Sequence, residues 1–543
     1  MGAGLKPLIK AIVFLVLLLA LLSFSWRPTR PLPQRLPFGT RTILDVNDPL
    51  KRVRKVLGSR LFRTWEENAP EGLPREIARR LEHPTLPVAL LLGGVRQAYW
   101  VAGGATDGDA YREFRLAALD VALLRFLTPA LARLPGVTRE GDEYRWRDQR
   151  FVIEGDLLLV GDEFALRLLS EVAARKREKA SANNEFARQL FRHLGYDADL
   201  SAVFLSPKPI FDGLALLNKV VDLSTVFDRQ AFGGAAIHLA LDERGVRADG
   251  LAINRPDQAF LRTCVAPEGN FSIPGALRRP PYRYVGLRVD RAERLGDVVA
   301  SGVFHAGGSA ERDKDMRAVL GAIFVRAFLS NFGQESGIWI GGDREGGPVM
   351  VLQVRDRAET GRYLTQIRKL LRQDLVPDAE PDAIAIGPVR VHYRVADDFF
   401  LMALARGDID RFLDAYRAGA KANDGPLFGI ADIPADGCVV AYADLSRALE
   451  ESPVPALARF APFAPRLGLS VRPATGPTRF AARIAFDDPI RPIESRAYAR
   501  ARAFYLGVAA LYVLAVLALA ALTALNGYRF ARTRKTPPPK EGQ

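Results

Sequence analysis

Hydrophobic residues are concentrated in two runs near the chain ends, Ala11 to Phe24 and Tyr505 to Leu525. The second run has 21 residues without a charge, and at about 1.5 Å per residue it spans roughly the 30 Å hydrocarbon core of a bilayer. The first run follows Lys6 and Lys10, as in a signal anchor. Ser23 and Ser25 fit a cleavage site only marginally, so we expect the anchor to be uncleaved. The pattern thus predicts a signal anchor at 1–27, a transmembrane helix at 503–528 and a basic tail at 529–543.

The sidedness of these two helices does not follow from the charges beside them. The inner and outer flanks carry seven basic residues each, but long domains are translocated largely regardless of charge. A short basic segment before an apolar run normally stays in the cytoplasm. The sequence therefore predicts a bacterial inner-membrane protein with both termini in the cytoplasm and its body in the periplasm.

Between the two runs, one order of apolar patterns occurs twice, with an offset of roughly 240 residues. Each copy begins with two apolar runs that predict strands, and a helical pattern follows. A hairpin leads through Gly-Asp into another helix, and a strand and a closing hairpin end the copy. The first copy has these elements at Leu90–Gly94, Ala98–Ala102, Tyr111–Ala122, Arg150–Val160, Phe164–Leu169, Ala202–Leu205 and Ala235–Ile253. The second has them at Ile338–Gly342, Val349–Val354, Tyr363–Leu371, Val389–Leu404, Ile409–Phe412, Val439–Tyr442 and Leu467–Phe486.

Antiparallel hairpins mixed with segregated helices are typical of the α+β class. The two copies are separated by a segment rich in proline, which predicts a linker. We therefore expect a tandem duplicated α+β body, with the first repeat at 40–255, the linker at 256–282 and the second repeat at 283–487.

The formal net charge of +14 raises the question of nucleic-acid binding. Basic and acidic residues are interspersed through the body, and the one dense basic run is Arg175 to Lys179. Such a distribution is typical of a solvated surface, so we predict no nucleic-acid partner. Cys264 and Cys438 are the only cysteines. They form either one disulfide or two buried thiols.

The sequence contains no motif for a bound cofactor or metal ion. The histidines are at least 45 residues apart in sequence, so a helical zinc motif is absent. No lysine follows a glycine, which excludes a P-loop, and no serine occupies a G-x-S-x-G elbow. A Gly-rich stretch, His305 to Ser309, has the composition of an oxyanion loop, but without that elbow it indicates a turn. The five histidines are His83, His193, His238, His305 and His392.

Carboxylates are the remaining candidates for chemistry. Asp397 with Asp398, and Asp487 with Asp488, could act as acid and base, and Asp313 with Asp315 could hold a cation. Aspartates in hairpin turns and at helix starts also form local hydrogen bonds, which explains the first pair without a catalytic role. The catalytic residues thus stay unknown at the sequence level.

The N-terminal anchor, the duplicated α+β body with Gly-Asp hairpin-to-helix units and the C-terminal helix with its basic tail resemble bacterial membrane-anchored periplasmic proteins of the domain-of-unknown-function type. This resemblance covers most of the body and is architectural, so it implies no catalytic residue.

The leading functional hypothesis is a non-enzymatic cell-envelope protein whose body binds another envelope protein or a polymer. The first alternative is an envelope hydrolase with a site in the cleft between the repeats, a common place for pockets. The second is an accessory subunit of a membrane complex that is bound through the Ala-rich C-terminal helix.

Overall fold

The computed structural model describes most of the chain, in segments. These are residues 5–25, 32, 36–37, 39–68, 79–107, 110–122, 124, 128, 136–141, 143–146, 149–174, 185–194, 198–208, 230–254, 271–277, 279–288, 331–341, 346–370, 380–386, 389–419, 426–450, 458–472, 477–491, 493 and 495–535.

Eleven α-helices and nineteen strands lie in these segments. The helices are α1 (Leu5–Ser25), α2 (Pro49–Leu57), α3 (Arg60–Asn68), α4 (Leu86–Gly94), α5 (Glu163–Ala174), α6 (Glu185–Leu190), α7 (Ser272–Ala276), α8 (Arg357–Leu370), α9 (Arg406–Ala418), α10 (Leu445–Glu450) and α11 (Arg496–Lys535). The strands are β1 (Thr40–Asn47), β2 (Val95–Asp107), β3 (Ala110–Val121), β4 (Val137–Glu140), β5 (Glu143–Trp146), β6 (Gln149–Glu154), β7 (Leu157–Gly161), β8 (Leu200–Phe204), β9 (Phe232–Asp242), β10 (Gly245–Asn254), β11 (Arg283–Arg288), β12 (Phe332–Ile340), β13 (Pro348–Val354), β14 (Ala383–Ile386), β15 (Val389–Ala396), β16 (Phe399–Ala403), β17 (Val439–Asp444), β18 (Arg466–Arg472) and β19 (Thr478–Ala485).

All nineteen strands join one continuous antiparallel sheet. Following the hydrogen-bonded neighbours from one edge to the other gives the order β4-β5-β6-β7-β3-β2-β1-β8-β9-β10-β19-β18-β17-β11-β12-β13-β16-β15-β14. Helices and strands are thus mixed and the pairing is antiparallel, as expected for the α+β class.

The strand order reads the same way outward from the middle of the sheet. Beyond β10 come β9, β8, β1, β2, β3, β7, β6 and β5, and beyond β19 come β18, β17, β11, β12, β13, β16, β15 and β14 in corresponding chain order. β4, at the edge of the first half, has no counterpart among the described strands. The two halves meet where β10 pairs with β19 over eight residues of each strand. This matching order is what the tandem duplication predicts, and common ancestry of the halves stays a prediction.

Each half has its core on the same face of the sheet. Phe164, Leu166 and Leu169 of α5 pack there in the first half, and Ile409 and Phe412 of α9 pack there in the second. Both helices follow a hairpin closely. α5 begins directly after Gly161-Asp162, whereas α9 begins at Arg406, so that Gly407-Asp408 lies in its first turn. The backbone amide of Ala165 donates to Asp162 Oδ1 at 2.6 Å, which satisfies a free amide of the first turn of α5.

The opposite face of the second half is covered by α8, whose Leu364 and Ile367 contact Phe400. The helix predicted over Tyr363–Leu371 is therefore confirmed as α8. The two predicted central hairpins are also confirmed, with turns at Gly155-Asp156 and Asp397-Asp398. The closing hairpins form β9-β10 and β18-β19 as expected.

Two predicted elements of the first copy are wrong. Leu90–Gly94 was predicted as a strand but belongs to α4, which begins after Thr85 with a proline in its first turn. Tyr111–Ala122 was predicted as a helix but forms β3, in which Phe114, Leu116 and Ala118 alternate as buried residues. β3 has apolar residues on both faces, and some of these residues are therefore three or four positions apart, as in a helix.

The last helix, α11, is the longest element. Among the described residues, the part from Arg496 to Arg532 is the one helix long and apolar enough to cross a membrane. The predicted N-terminal span is helical over Leu5–Ser25, but that criterion does not single it out, so a pair of flanking spans stays a prediction. Part of the predicted linker at 256–282 lies outside the described residues; Ser272–Ala276 within it forms α7.

α1 packs along α11. The seven peptide steps from Ser25 to Leu32 cover at most about 25 Å, and Leu32 is buried in the core of the first half. The C-terminal end of α1 therefore lies within about 25 Å of that core.

Candidate functional site

A row of polar residues crosses four neighbouring strands in the first half. Asp45 pairs with Ser201, Ser201 with His238, and His238 with Asp249, along β1, β8, β9 and β10. Directly opposed residues of antiparallel strands have their side chains on the same face. This face is the one that α5 and α6 cover, because Ile43 and Val203 of the same strands belong to that core. Asp45 and Ser201 are buried there.

A second histidine reaches this row from above the sheet. His193 ends a short 3-10 helix, Phe191–His193, that directly follows α6. Its Nδ1 lies 3.4 Å from His238 Nε2. On the other side of the same ring, His238 Nδ1 lies 3.0 Å from Ser201 Oγ. Ser201, His238 and His193 thus form a chain of contacts through both ring nitrogens of His238, here called the histidine pair with Ser201.

The surroundings of both histidines favour their neutral forms. Burial lowers the pKa of His193 and the pKa of His238, and the neighbouring His193 lowers the latter further while Asp249 opposes the change. A neutral imidazole has one donor and one acceptor nitrogen. His238 can therefore accept from the Ser201 hydroxyl and donate to His193, or donate to Ser201 and accept from His193.

The arrangement has one element of a nucleophilic site, a hydroxyl in contact with a base. It also differs from a working site, because the Ser201 residue is only 2% exposed. A substrate carbonyl could not reach its hydroxyl without movement of the covering 3-10 helix. In this geometry a proton can move between Ser201 and the two histidines more readily than the Ser201 hydroxyl can attack a bond of an external substrate.

The same row of paired positions continues into the second half, where different residue types occupy it. Asp249 pairs with Ala481, which is followed across the strands by Ser470, Val440 and Gly286. At Gly286 an added Cβ would lie 2.6 Å from Tyr284 Oη and 2.7 Å from the Phe271 ring. Rings therefore occupy the space above this position. The carboxylate and imidazole groups of the row are confined to the first half.

A partly buried ionic group lies beside the row. Asp199 Oδ1 accepts from Arg52 at 3.0 Å, and its Oδ2 lies 2.8 Å from Lys55 Nζ. The backbone amide of Leu241 also donates to Asp199 Oδ2, at 2.6 Å. This carboxylate ties α2 to the strands β8 and β9. All of its contacts serve that packing.

The carboxylate pairs singled out by sequence do not act as pairs. Asp397 Oδ2 accepts from Arg417 Nε at 3.0 Å, whereas Asp398 Oδ1 accepts from Arg357 Nη2 at 3.1 Å. Each carboxylate therefore has its own arginine, and the Asp398 side chain is 78% exposed. Both carboxylates lie in the hairpin turn, but they bind arginines of α9 and α8 and do not make the local hydrogen bonds that the sequence predicts.

The pair Asp487-Asp488 is also divided. Asp487 is exposed, whereas Asp488 is completely buried and accepts from the backbone amide of Leu61 at 3.1 Å. That amide belongs to the first turn of α3, where backbone donors have no partner within the helix. Asp488 thus binds the end of the second half to a helix of the first.

The remaining sequence candidates contribute little to a site. His83 is exposed, and His392 lies in β15 near Glu380, with Nδ1 3.4 Å from Oε2. Cys438 is buried, and its pairing is untested because the other cysteine is not described. Cys264, His305, Ser309, Asp313 and Asp315 lie outside the described residues.

Where the two halves meet, β10 and β19 pair within the sheet, and a charged cluster lies beside this pairing. The cleft between the repeats stays a prediction. Arg483 of β19 is 2% exposed, and its Nη2 donates to both carboxylate oxygens of Asp242 at 2.6 and 2.9 Å. Its Nη1 donates to Asp432 at 2.8 Å. One guanidinium therefore holds a carboxylate from each half, beside the ladder that joins β10 and β19.

Within the described part of the chain, no three side chains of the metal-binding types come together as a metal site. Comparison of the chain with protein-family models, with curated proteins and with solved structures finds no match. The interpretation of function therefore depends on the geometry of this chain.

Proposed function

We propose that this protein is a membrane-anchored cell-envelope protein whose large extracytoplasmic body binds another envelope protein or an envelope polymer. The observation that carries the proposal is α11, a single helix that begins on the body at Arg496 and continues to Lys535. Its stretch from Ala503 to Tyr528 contains no charged residue. At about 1.5 Å per residue that stretch is about 39 Å long, enough to cross the hydrocarbon core.

The packing of α1 along α11 supports a second anchor. We infer that the two helices run antiparallel, with the C-terminal end of α1 and the start of α11 both at the body, so that both chain termini lie on the far side of the membrane. The N-terminal sequence is signal-like, which favours export of the body and cytoplasmic termini. In a bacterium the body then faces the periplasm.

A binding role is favoured over catalysis by what the titratable groups do. Asp488, Asp199 and Arg483 each join separate elements, and the aspartates of the turn at Asp397 pair with arginines. The hydrogen-bonded strand pairing continues across both halves, which makes the body a continuous platform. Such a platform suits recognition by its surface, because it needs no reacting group.

Photocrosslinking in intact membranes tests this proposal. A photoreactive amino acid at exposed body positions should capture a discrete envelope component, whereas the same residue inside the core at Leu401 should capture none. Alkylation of single cysteines with a membrane-impermeant reagent tests sidedness: a body position should react in cells with a permeable outer membrane, and a tail position should react only after lysis. A tail that reacts without lysis would refute the topology.

A hydrolase is the second candidate, and the contact between Ser201 Oγ and His238 Nδ1 favours it. A fluorophosphonate probe should then label the wild-type protein but not the Ser201→Ala variant. The matched control is Ser470→Ala, since Ser470 is a buried serine where the same row continues into the second half. Equal absence of labelling in all three proteins would leave the binding role as the better account.

A further inference from the structure

The region where α11 leaves the body carries an unusual short helix. All nine residues of α4, from Leu86 to Gly94, are apolar or glycine. The helix is therefore hydrophobic on every side, a composition expected for a buried or membrane-embedded segment. It is nevertheless not enclosed by protein, because Leu86 is 44% exposed and Gly93 is also exposed.

α4 packs directly against the first turns of α11. Ala89 is completely buried in a cluster with Tyr498 and Ala501. Further along, the Tyr505 hydroxyl donates to the Leu90 carbonyl at 2.7 Å. Tyr498, Ala501 and Tyr505 have the spacing of one helix face, so α4 is fixed along that face.

The contact to Tyr505 gives the depth of α4 relative to a bilayer. Arg502 is the last charged residue before the uncharged stretch of α11. Tyr505 lies three residues further, or about 5 Å along the helix axis. The middle of α4 therefore reaches the level at which the hydrocarbon region of a spanning α11 begins, where tyrosine side chains are enriched.

Exposed basic side chains lie on elements next to α4. Arg496, Arg500 and Arg502 are exposed on the first turns of α11, which carry no acidic residue. Lys51 of α2, a helix that contacts α4, and Arg79, shortly before α4, are exposed as well. Positive charge above an apolar surface complements the phosphates and acyl chains of an anionic lipid layer.

We propose that α4 is an interfacial helix that lies in the boundary between lipid headgroups and acyl chains, and that the surrounding basic residues bind anionic phospholipid headgroups. The first half of the body is thereby held against the membrane surface rather than suspended on a flexible stalk. This inference rests on the proposed spanning role of α11.

Spin labelling of the full-length protein in lipid nanodiscs tests the inference. In a background with Cys264→Ser and Cys438→Ala, one label is placed at Leu86→Cys and a control at Leu404→Cys, a 60% exposed leucine of the second half. A third label at Leu514→Cys, which is 61% exposed on α11, reports on the span itself. The measured quantity is the accessibility of each label to oxygen relative to a water-soluble nickel complex.

We expect the ratio at Leu86 to exceed that at Leu404 severalfold and to increase when phosphatidylglycerol is added to phosphatidylcholine. Replacement of Arg496, Arg500 and Arg502 by glutamine should remove that increase. A water-like ratio at Leu86 with a lipid-like ratio at Leu514 would overturn the interfacial helix while leaving the anchor intact. A water-like ratio at Leu514 would overturn the proposed span. Equal ratios at Leu86 in both lipid mixtures would overturn the binding of anionic headgroups.

Discussion

The burial of Arg483 predicts that removing this arginine and removing its aspartate partners will change the stability by different amounts. Arg483 is buried, whereas the side chains of its partners Asp242 and Asp432 are 44% and 53% exposed. Replacing both aspartates by asparagine leaves a guanidinium with no counter-charge in the protein interior, which costs about 3 kcal/mol. Replacing Arg483 by methionine leaves two carboxylates that water can reach, so we expect a loss of about 1 kcal/mol or less.

The assay is urea unfolding of the full-length protein in detergent, followed by tryptophan fluorescence. Trp339 reports on the core of the second half, in which it is buried. The Asp242→Asn and Asp432→Asn double variant should unfold at a lower urea midpoint than Arg483→Met. A triple variant should match Arg483→Met, since the three changes remove one shared interaction. If Arg483→Met is the least stable of the three, the reasoning from burial is wrong.

Three further predictions follow from local contacts. Asp488→Ala should destabilise by about 1 kcal/mol through loss of its helix-terminal hydrogen bond, visible as faster amide exchange in α3, and exposed Asp487→Ala should have no effect. Burial lowers the pKa of both histidines, so below about pH 6.5 the unfolded chain binds more protons than the folded one, and stability should decrease as the pH is lowered. In the His238→Gln variant, the urea midpoint should decrease less over the same pH range. Gly286→Ala should cost about 1–3 kcal/mol because its Cβ would overlap buried rings, whereas Gly361→Ala, with open space around its position in α8, should stabilise by about 0.5–1 kcal/mol in the same unfolding assay.

The sequence was sufficient for much of the local structure. Gly155-Asp156 and Asp397-Asp398 separate short apolar runs, and turn chemistry of this kind acts within a few residues. The helix at Tyr363 has a polar face, so its period is unambiguous. β3 has apolar residues on both faces, which removes the alternation that identifies a strand. For α4, a nine-residue apolar run fits either a buried strand or a helix, so its pattern does not distinguish the two.

The histidine pair with Ser201 could not be predicted from the sequence, for a different reason. Ser201, His238 and His193 are brought together by strand register and by a 3-10 helix folded over the sheet. No fixed spacing relates them, so no motif search could join them. Asp488 belongs to an acidic pair in the sequence, but its role depends on α3, which is more than four hundred residues earlier in the chain. Contacts of that range are set by topology and leave no local pattern.

The pairing between β10 and β19 also has a consequence for folding during synthesis. β10 ends at Asn254 and its partner strand begins at Thr478, so during synthesis the first half presents a ten-residue strand with unpaired backbone groups until almost the whole body exists. An exposed edge of that kind is a template for other strands. A first half produced alone therefore has an edge on which a second copy of itself can add in place of β19, and truncation is expected to yield self-association rather than a monomer.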